Sequence, residues 1–353
     1  MKKRLNLLKK RLKQEKVETF LINNLTNIKY LSGFSGTLAF ILITENRATF
    51  FTDARYFERV KKEIPAYFSL EEIENSFIDY LKSFLKKYKI RRIGFESTAI
   101  SYYQLSLLKK KLPSITFVPL NNIIESVRVI KDQEEIKQVK RAIALNDQVF
   151  AYLKNRLSRK PFLNGDELAL KGEVFIKERG AEGFAFDPII AFSKDSAAPH
   201  ALRSKRRLKD NDTILIDFGT EFHGYHSDLT RVYFKKGYKG RLREIYQIVL
   251  AAQQKAIAKI KPGVKASDID KEARDYITQK GYDNYFKHSL GHGIGLEVHE
   301  SPKISSQSSD ILREGMVFSV EPGIYIPGVG GVRIEDLVLV TKKGCQVLSK
   351  AKK

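Results

Sequence analysis

Four apolar, β-type runs in the second half of this chain each carry a carboxylate. They are TILIDFG, SDLTRVYF, MVFSVEPGIYI and VRIEDLVLVT, with Asp217, Asp228, Glu321 and Glu335 inside them or at their ends. An ionised carboxylate in an apolar strand is costly unless it is paired or ligated. A fold that buries these runs must therefore bring cationic groups to them.

The spacing predicts how the runs meet. TILIDFGTEFHGYHSDLTRVYF reads as a hairpin with TEFHGYH as its turn. A turn centred between Phe222 and His223 sets Asp217 opposite Asp228 across the ladder. Facing carboxylates repel, so this register calls for a cation between them; otherwise both Asp residues face solvent or the register differs. EPGIYIPGVGGVRIEDLVLV repeats the pattern. Glu321 and Glu335 are symmetric about Gly328, and the glycines at 328, 330 and 331 supply the permissive backbone that a tight loop needs.

All 6 histidines lie between positions 200 and 299: His200, His223, His226, His288, His292 and His299. Such confinement points to a site. In HSLGHGIGLEVHESP, the glycines at 291, 293 and 295 bracket His292 and allow backbone to come close to a ligand. The motif is not a dinucleotide fingerprint, because Val298 stands where the third glycine belongs. Asp217, Asp228, His292, Glu321 and Glu335 together suit two divalent ions bridged by carboxylates, with Mn²⁺, Co²⁺, Fe²⁺ and Zn²⁺ all chemically acceptable.

At 353 residues the chain is long enough for two domains. Before position 130, the runs ETFLINN, AFILIT, ATFFTDARY, IRRIGFES and ITFVPL alternate with helical stretches, an α/β pattern opened by an amphipathic helix at about 4–15. From 133, QEEIKQVKRAIALNDQVFAYLKNRL is a long amphipathic helix, with Asp132 and Glu135 as its capping box. Further helices are expected over GDELALKGEVFIKERG, with Asp166 as cap and Gly180 as stop, at about 240–260, and at 267–280 between Ser267 and Gly281.

Composition narrows the classes. One Cys excludes a disulfide framework. No apolar run is long enough to span a membrane, and the basic N-terminus lacks a signal-peptide core, so a cytoplasmic protein is expected. With 63 Lys+Arg against 41 Asp+Glu, the net charge is +22, read here as a Lys-rich solvated surface rather than a nucleic-acid or membrane footprint.

PHA, DFG, GYHSDLTRVY, HSLGHGIGLEVHE and VEPGIYIPGVGGVRIED closely resemble the proline-specific metallopeptidases of the pita-bread fold, the Xaa-Pro aminopeptidases and Xaa-Pro dipeptidases (prolidases). The match runs from about 130 to the end. YLSGFSGTLAFILIT and FFTDARY mark a smaller creatinase-type domain before it. The resemblance implies an α+β protein with a creatinase-like α/β domain over 1–130 and a pita-bread catalytic domain over 131–353. It implies that Asp217 binds one metal through both oxygens, that Asp228 and Glu335 bridge two metals, and that His292 and Glu321 complete the coordination of the other ion. The resemblance also implies that Glu321 accepts a proton from the bridging water. His200 and His299 match the histidines that contact the scissile carbonyl and move protons, while His288 and Arg333 match residues that shape the substrate pocket. His223 and His226 have no counterpart and are read as turn or surface residues.

The implied function is exopeptidase cleavage of the Xaa-Pro bond of short peptides or dipeptides, by a metal-bridging hydroxide, with two Mn²⁺ or Co²⁺ ions as cofactors. The family commonly forms homodimers, which places Asp53, Arg55 or Tyr56 near an interface or site rim. A metal-free creatinase-like hydrolase is disfavoured because all five ligand positions hold competent ligands. The preceding domain argues against a methionine aminopeptidase, and the absence of Gly-x-Ser-x-Gly argues against a serine hydrolase. The alternative of a different class is a non-catalytic binding protein of this fold that engages RNA or protein partners; it should have lost metal ligands.

Overall fold

The computed structural model describes residues 1–235, 238 and 240–353. The chain divides into two compact units, Met1–Arg128 and Val129–Lys353. Among the described residues, no helix is long and apolar enough to cross a membrane.

The first unit is built on six strands: β1 (Thr19–Ile22), β2 (Phe40–Thr44), β3 (Ala48–Thr52), β4 (Ser69–Glu72), β5 (Arg92–Glu96) and β6 (Thr116–Leu120). They lie in the order β4-β3-β2-β1-β5-β6. The β1–β2 and β2–β3 pairs are antiparallel, whereas β1–β5, β3–β4 and β5–β6 are parallel. The five apolar runs of the sequence supply every strand but β4, whose SLEE is half-buried and carries no apolar run. Leu21, Leu42, Phe51, Leu81 and Phe84 form a core between sheet and helix. The expected N-terminal helix spans Lys2–Gln14, with Leu5, Leu8 and Leu12 buried along one stripe.

The second unit carries β7 (Gly183–Phe184), β8 (Ile189–Phe192), β9 (Thr213–Phe218), β10 (Thr220–Phe222), β11 (Tyr225–His226), β12 (Leu229–Phe234), β13 (Gly291–Gly293), β14 (Glu300–Ile304), β15 (Val317–Val320), β16 (Gly323–Ile326), β17 (Gly330–Arg333), β18 (Asp336–Val340) and β19 (Cys345–Val347). These make sheets ordered β11-β10-β7, β12-β9-β8, β14-β13-β15-β18-β19 and β16-β17. The helices Gln133–Leu157 and Gly165–Lys177 pack with β8, β9 and β12 around Phe150, Ile190, Ile216 and Phe218. The helices Leu242–Lys259 and Ala266–Gln279 pack around Val249, Ile269, Phe318 and Ile324. Asp217 lies near the end of β9, and Asp228, Glu321 and Glu335 lie in the breaks between successive strands.

Local sequence accounts for most helix ends. Asp132 accepts from the N–H of Glu135, whose side chain accepts from the Asp132 N–H, completing the expected capping box. Two expected caps are corrected. Asn164, not Asp166, caps Gly165–Lys177 in a box with Glu167, and Asp166 instead pairs with Arg203 and Lys205. Ser267 lies inside Ala266–Gln279, which starts after Lys265 with no side-chain cap. Its first turn is tied elsewhere, since the Ala266 N–H donates to Asp310 O at 2.9 Å. Asn164→Ala is therefore expected to cost about 1 kcal/mol and Ser267→Ala less than about 0.5 kcal/mol, as read by thermal denaturation.

Candidate metal centre

The β9–β12 hairpin corrects one expectation. Asp217 pairs with Thr230, not Asp228. The turn falls between His223 and Gly224, both with positive φ (51° and 75°), the backbone of a two-residue hairpin turn. Moving the turn centre by one residue moves every pair by two. A shift of two preserves side-chain parity, so Asp228 becomes the diagonal neighbour of Asp217 on the same face. The two carboxylates still feel each other, and the Asp217 charge helps to push Asp228 up.

The second hairpin follows the expected register. Gly323 pairs with Arg333 and Ile326 with Gly330, around a loop in which Gly328 has φ 76°. Val320 pairs with Asp336 in the neighbouring sheet. Glu321 and Glu335 lie at the crossing between these two ladders, where neither belongs to a strand. The Glu335 N–H donates to Thr230 O at 3.2 Å, which joins this crossing to the first hairpin.

Each carboxylate is held in part. Arg333 Nη2 pairs with Asp217 Oδ2, and Asp217 Oδ1 has no hydrogen-bond partner. Thr230 Oγ1 donates to Glu335 Oε2 at 2.8 Å, while Glu335 Oε1 is buried and unpartnered. Ser319 Oγ donates to Glu321 Oε1 at 2.9 Å. Asp228 Oδ2 lies 3.7 Å from His292 Nε2, and Asp228 Oδ1 is buried without a partner. His292 Nε2 is also 3.3 Å from Glu321 Oε1, and its Nδ1 lies 3.1 Å from Gly293 O. Ligand atoms of Asp228, His292 and Glu335 fall within 4.8 Å of one another. Buried carboxylate oxygens left unpartnered beside an imidazole nitrogen are the donor set that divalent transition metals take. The residues fit such ions.

The electrostatics agree. Burial raises Asp228 and Glu335 well above the ordinary carboxylate range, and neighbouring carboxylates push them further. Burial also raises Asp217, against the opposing charge of Arg333. Burial alone would lower His292, but its bond to Glu321 and the charges of Glu321 and Glu335 hold it at about 9. Burial alone would raise Glu321, yet its bond to His292 brings it to about 2. Arg333 and a protonated His292 thus offset only part of the acidic charge.

The remaining histidines separate clearly. His299 stacks edge-on against His292 with ring centroids 4.3 Å apart, and desolvation followed by the charges of His292 and His200 lowers its pKa. His200 is exposed, beside Pro199, whose carbonyl accepts from Arg333 Nη1 at 3.2 Å. His288 Nε2 lies 3.2 Å from Tyr325 Oη, and burial lowers its pKa. His223 occupies the exposed turn as expected. His226 is not a surface residue: it is half-buried, its N–H donates to Gly295 O at 2.8 Å, and its Nδ1 lies 3.2 Å from the same oxygen.

Arg333 is 4% exposed and acts from beneath the carboxylates, bonded also to Thr230 Oγ1 and Tyr325 Oη. Asp217 thereby presents one free oxygen rather than two. Tyr325, Thr230 and Ser319 were not singled out from sequence. Their signal is positional: Ser319 and Tyr325 lie two before and four after Glu321, and Thr230 lies two after Asp228.

A carboxyl whose folded pKa is raised above its unfolded value weakens the fold as pH climbs past the ordinary range near 4, and fully so only above the raised value. In chelator-treated protein at neutral pH, Asp228→Asn is therefore expected to raise the melting temperature. Thermal scans from pH 5 to 8 check this; a lower Tm for the variant throughout would contradict it.

Comparison with known proteins places the chain. Residues 137–342 match metallopeptidase family M24, and residues 4–130 match the creatinase/prolidase N-terminal domain. A protein named Xaa-Pro dipeptidase from Pyrococcus horikoshii is 39% identical over 96% of this chain and 94% of its own length. The solved structure of an Xaa-Pro dipeptidase from Bacillus anthracis superposes with TM-score 0.95 at 36% identity, covering 99% of this chain and 98% of that one. An X-Pro aminopeptidase structure from Thermotoga maritima gives TM-score 0.88 at 36% identity, over 95% and 96% of the two chains. The α+β architecture, a creatinase-type domain followed by a pita-bread domain, is thus the one expected, and the chain belongs to metallopeptidase family M24.

Proposed function

We propose that this metallopeptidase is an exopeptidase that cleaves the bond between an amino-terminal residue and proline in dipeptides or short peptides. The observation that carries the metal centre is the set of buried, unpartnered oxygens on Asp217, Asp228 and Glu335 beside His292. The names of the relatives support proline as the second residue.

Asp217, Asp228, His292, Glu321 and Glu335 would hold two divalent ions, with Mn²⁺ or Co²⁺ as the first choices. When bound, such ions supply Lewis acidity toward the scissile carbonyl and lower the pKa of a water. The chain's own groups do the rest. Arg333, Thr230 and Ser319 each occupy one oxygen of a carboxylate, which sets the direction of the other before any ligand arrives. Glu321 accepts the proton of the attacking water. His299, depressed in pKa and open to solvent, is neutral at pH 7 and contacts the carbonyl with His200. The leaving proline nitrogen is a secondary amine, and the proton that Glu321 has taken from the water reaches it by way of these histidines. An Xaa-Pro bond has no N–H and a fixed φ, so a pocket shaped by His200, His299 and Arg333 can select it by shape. A cytoplasmic homodimer belongs to the same reading. A binding protein without catalysis is not favoured, since the five ligand-capable side chains are present and three are grouped.

Two outcomes are expected. Chelation abolishes hydrolysis of Ala-Pro and lowers the melting temperature, and Mn²⁺ or Co²⁺ restores both; full activity in demonstrably metal-free protein would refute the metal centre. At equal metal loading, kcat/KM for Ala-Pro or Ala-Pro-Ala exceeds that for Ala-Ala-Ala by at least about tenfold. Equal rates on all three peptides would remove proline from the proposal but leave the metal centre standing.

A further inference from the structure

The strongest feature outside the acidic cluster is a buried ion pair behind the loop that carries His299. Lys131 Nζ lies 3.0 Å from Glu300 Oε2, and the two side chains are 1% and 6% exposed. Glu300 directly follows His299 and opens β14.

The surroundings of this pair are tightly built. The Gly295 N–H donates to Glu297 O at 3.1 Å, and the Glu297 N–H donates to Glu300 Oε1 at 3.1 Å. Residues 295–300 therefore curl around the Glu300 carboxylate. A Cβ on Gly295 would stand 2.8 Å from both Glu300 oxygens, so a larger residue there would push that carboxylate aside. The β13–β14 ladder is broken at this point: His292 pairs with Lys303 but Gly293 with Glu300. Such bulges re-aim side chains, and here the ladder alone does not set the position of His299.

Lys131 is a fixed post. Its N–H donates to Gly315 O at 2.9 Å, and the next residue, Asp132, caps the helix Gln133–Leu157 through the N–H groups of Glu134 and Glu135. A buried ion pair is a weak stabiliser, because desolvation offsets most of its attraction and apolar side chains of similar volume serve as well. What a Lys–carboxylate contact supplies and an apolar pair does not is a defined direction. We propose that Lys131 is a positioning residue: through Glu300 it anchors the 295–300 loop and holds the His299 ring against His292. This rests on the proposed role of His299 in peptide hydrolysis.

The test compares wild type with Lys131→Met and with the double variant K131M/E300Q under saturating Mn²⁺. Lys131→Met removes the cation 3.0 Å from Glu300 Oε2 and is expected to lose stability. The double variant removes both charges and keeps an acceptor for Glu297. For it, kcat on Ala-Pro is expected to fall about tenfold or more, with KM within about twofold. Hydrogen–deuterium exchange is expected to show faster exchange of residues 294–300, with β15 unchanged. If kcat and loop exchange both stay within about twofold of wild type, the proposal is overturned. It is equally overturned if protection is lost evenly across residues 129–353, which marks a purely structural pair. Wild-type protein that leaves Ala-Pro uncut under Mn²⁺ would instead fail the functional reading, visibly in the wild-type arm alone, while exchange of the loop still decides whether Lys131 anchors it.

Discussion

Asp217, Asp228, Glu321 and Glu335 are gathered in one buried cluster, and their mutual repulsion is the constraint that the rest of the second unit answers. Burial and like charge both oppose ionisation of Asp228 and Glu335. The protein offsets this only in part, with Arg333 beneath Asp217 and His292 between Asp228 and Glu321. Hydroxyls of Thr230 and Ser319 take one oxygen each from Glu335 and Glu321. The remaining buried oxygens are left to a ligand of opposite charge. Metal affinity in this chain is accordingly a stability term as well as a catalytic one, and loading should release the proton that His292 holds in the metal-free state.

The acidic cluster is assembled from places where regular structure is interrupted. Glu321 and Glu335 lie in the crossing between the β15–β18 and β16–β17 ladders. Asp228 lies between the β9–β12 and β10–β11 ladders, in a stretch where a Cβ on Gly219 would meet Ser227 O at 1.9 Å. His292 sits at the bulge of β13. Each ladder is long enough to fix its strand, and each break frees a side chain from the alternation that would send it into a core or to solvent. Rigid strands on both sides keep the acidic groups together despite their repulsion, because separating them would unzip buried ladders.

Much of this was legible in the chain itself. Apolar runs interrupted by carboxylates announced a buried acidic site, the glycines around His292 announced close backbone approach, and the symmetry of Glu321 and Glu335 about Gly328 matches the ladder register. Asp132 with Glu135 marked a helix start that the structure reproduces. Local signals failed where a neighbour distant in sequence decided the matter. Asp166 reads as a cap but is drawn to Arg203 and Lys205, and His226 reads as surface but is claimed by Gly295. The 217–228 pairing failed over a turn centre misplaced by one residue, which periodicity cannot resolve because both registers keep the same faces.

Sequence by itself determined which residue types had to meet, because the free energy of burying charge depends on chemistry that can be read residue by residue. It also determined the family, through ordered motifs spanning most of the chain. Only the tertiary structure decided which carboxylate oxygen stays free. That choice depends on Arg333, Thr230, Ser319 and Tyr325, which are brought to the acidic groups by strand pairing and by the crossing of two sheets. The role of Lys131 is of the same kind: 169 residues separate it from Glu300, and no local pattern foretells a contact made at that distance along the chain.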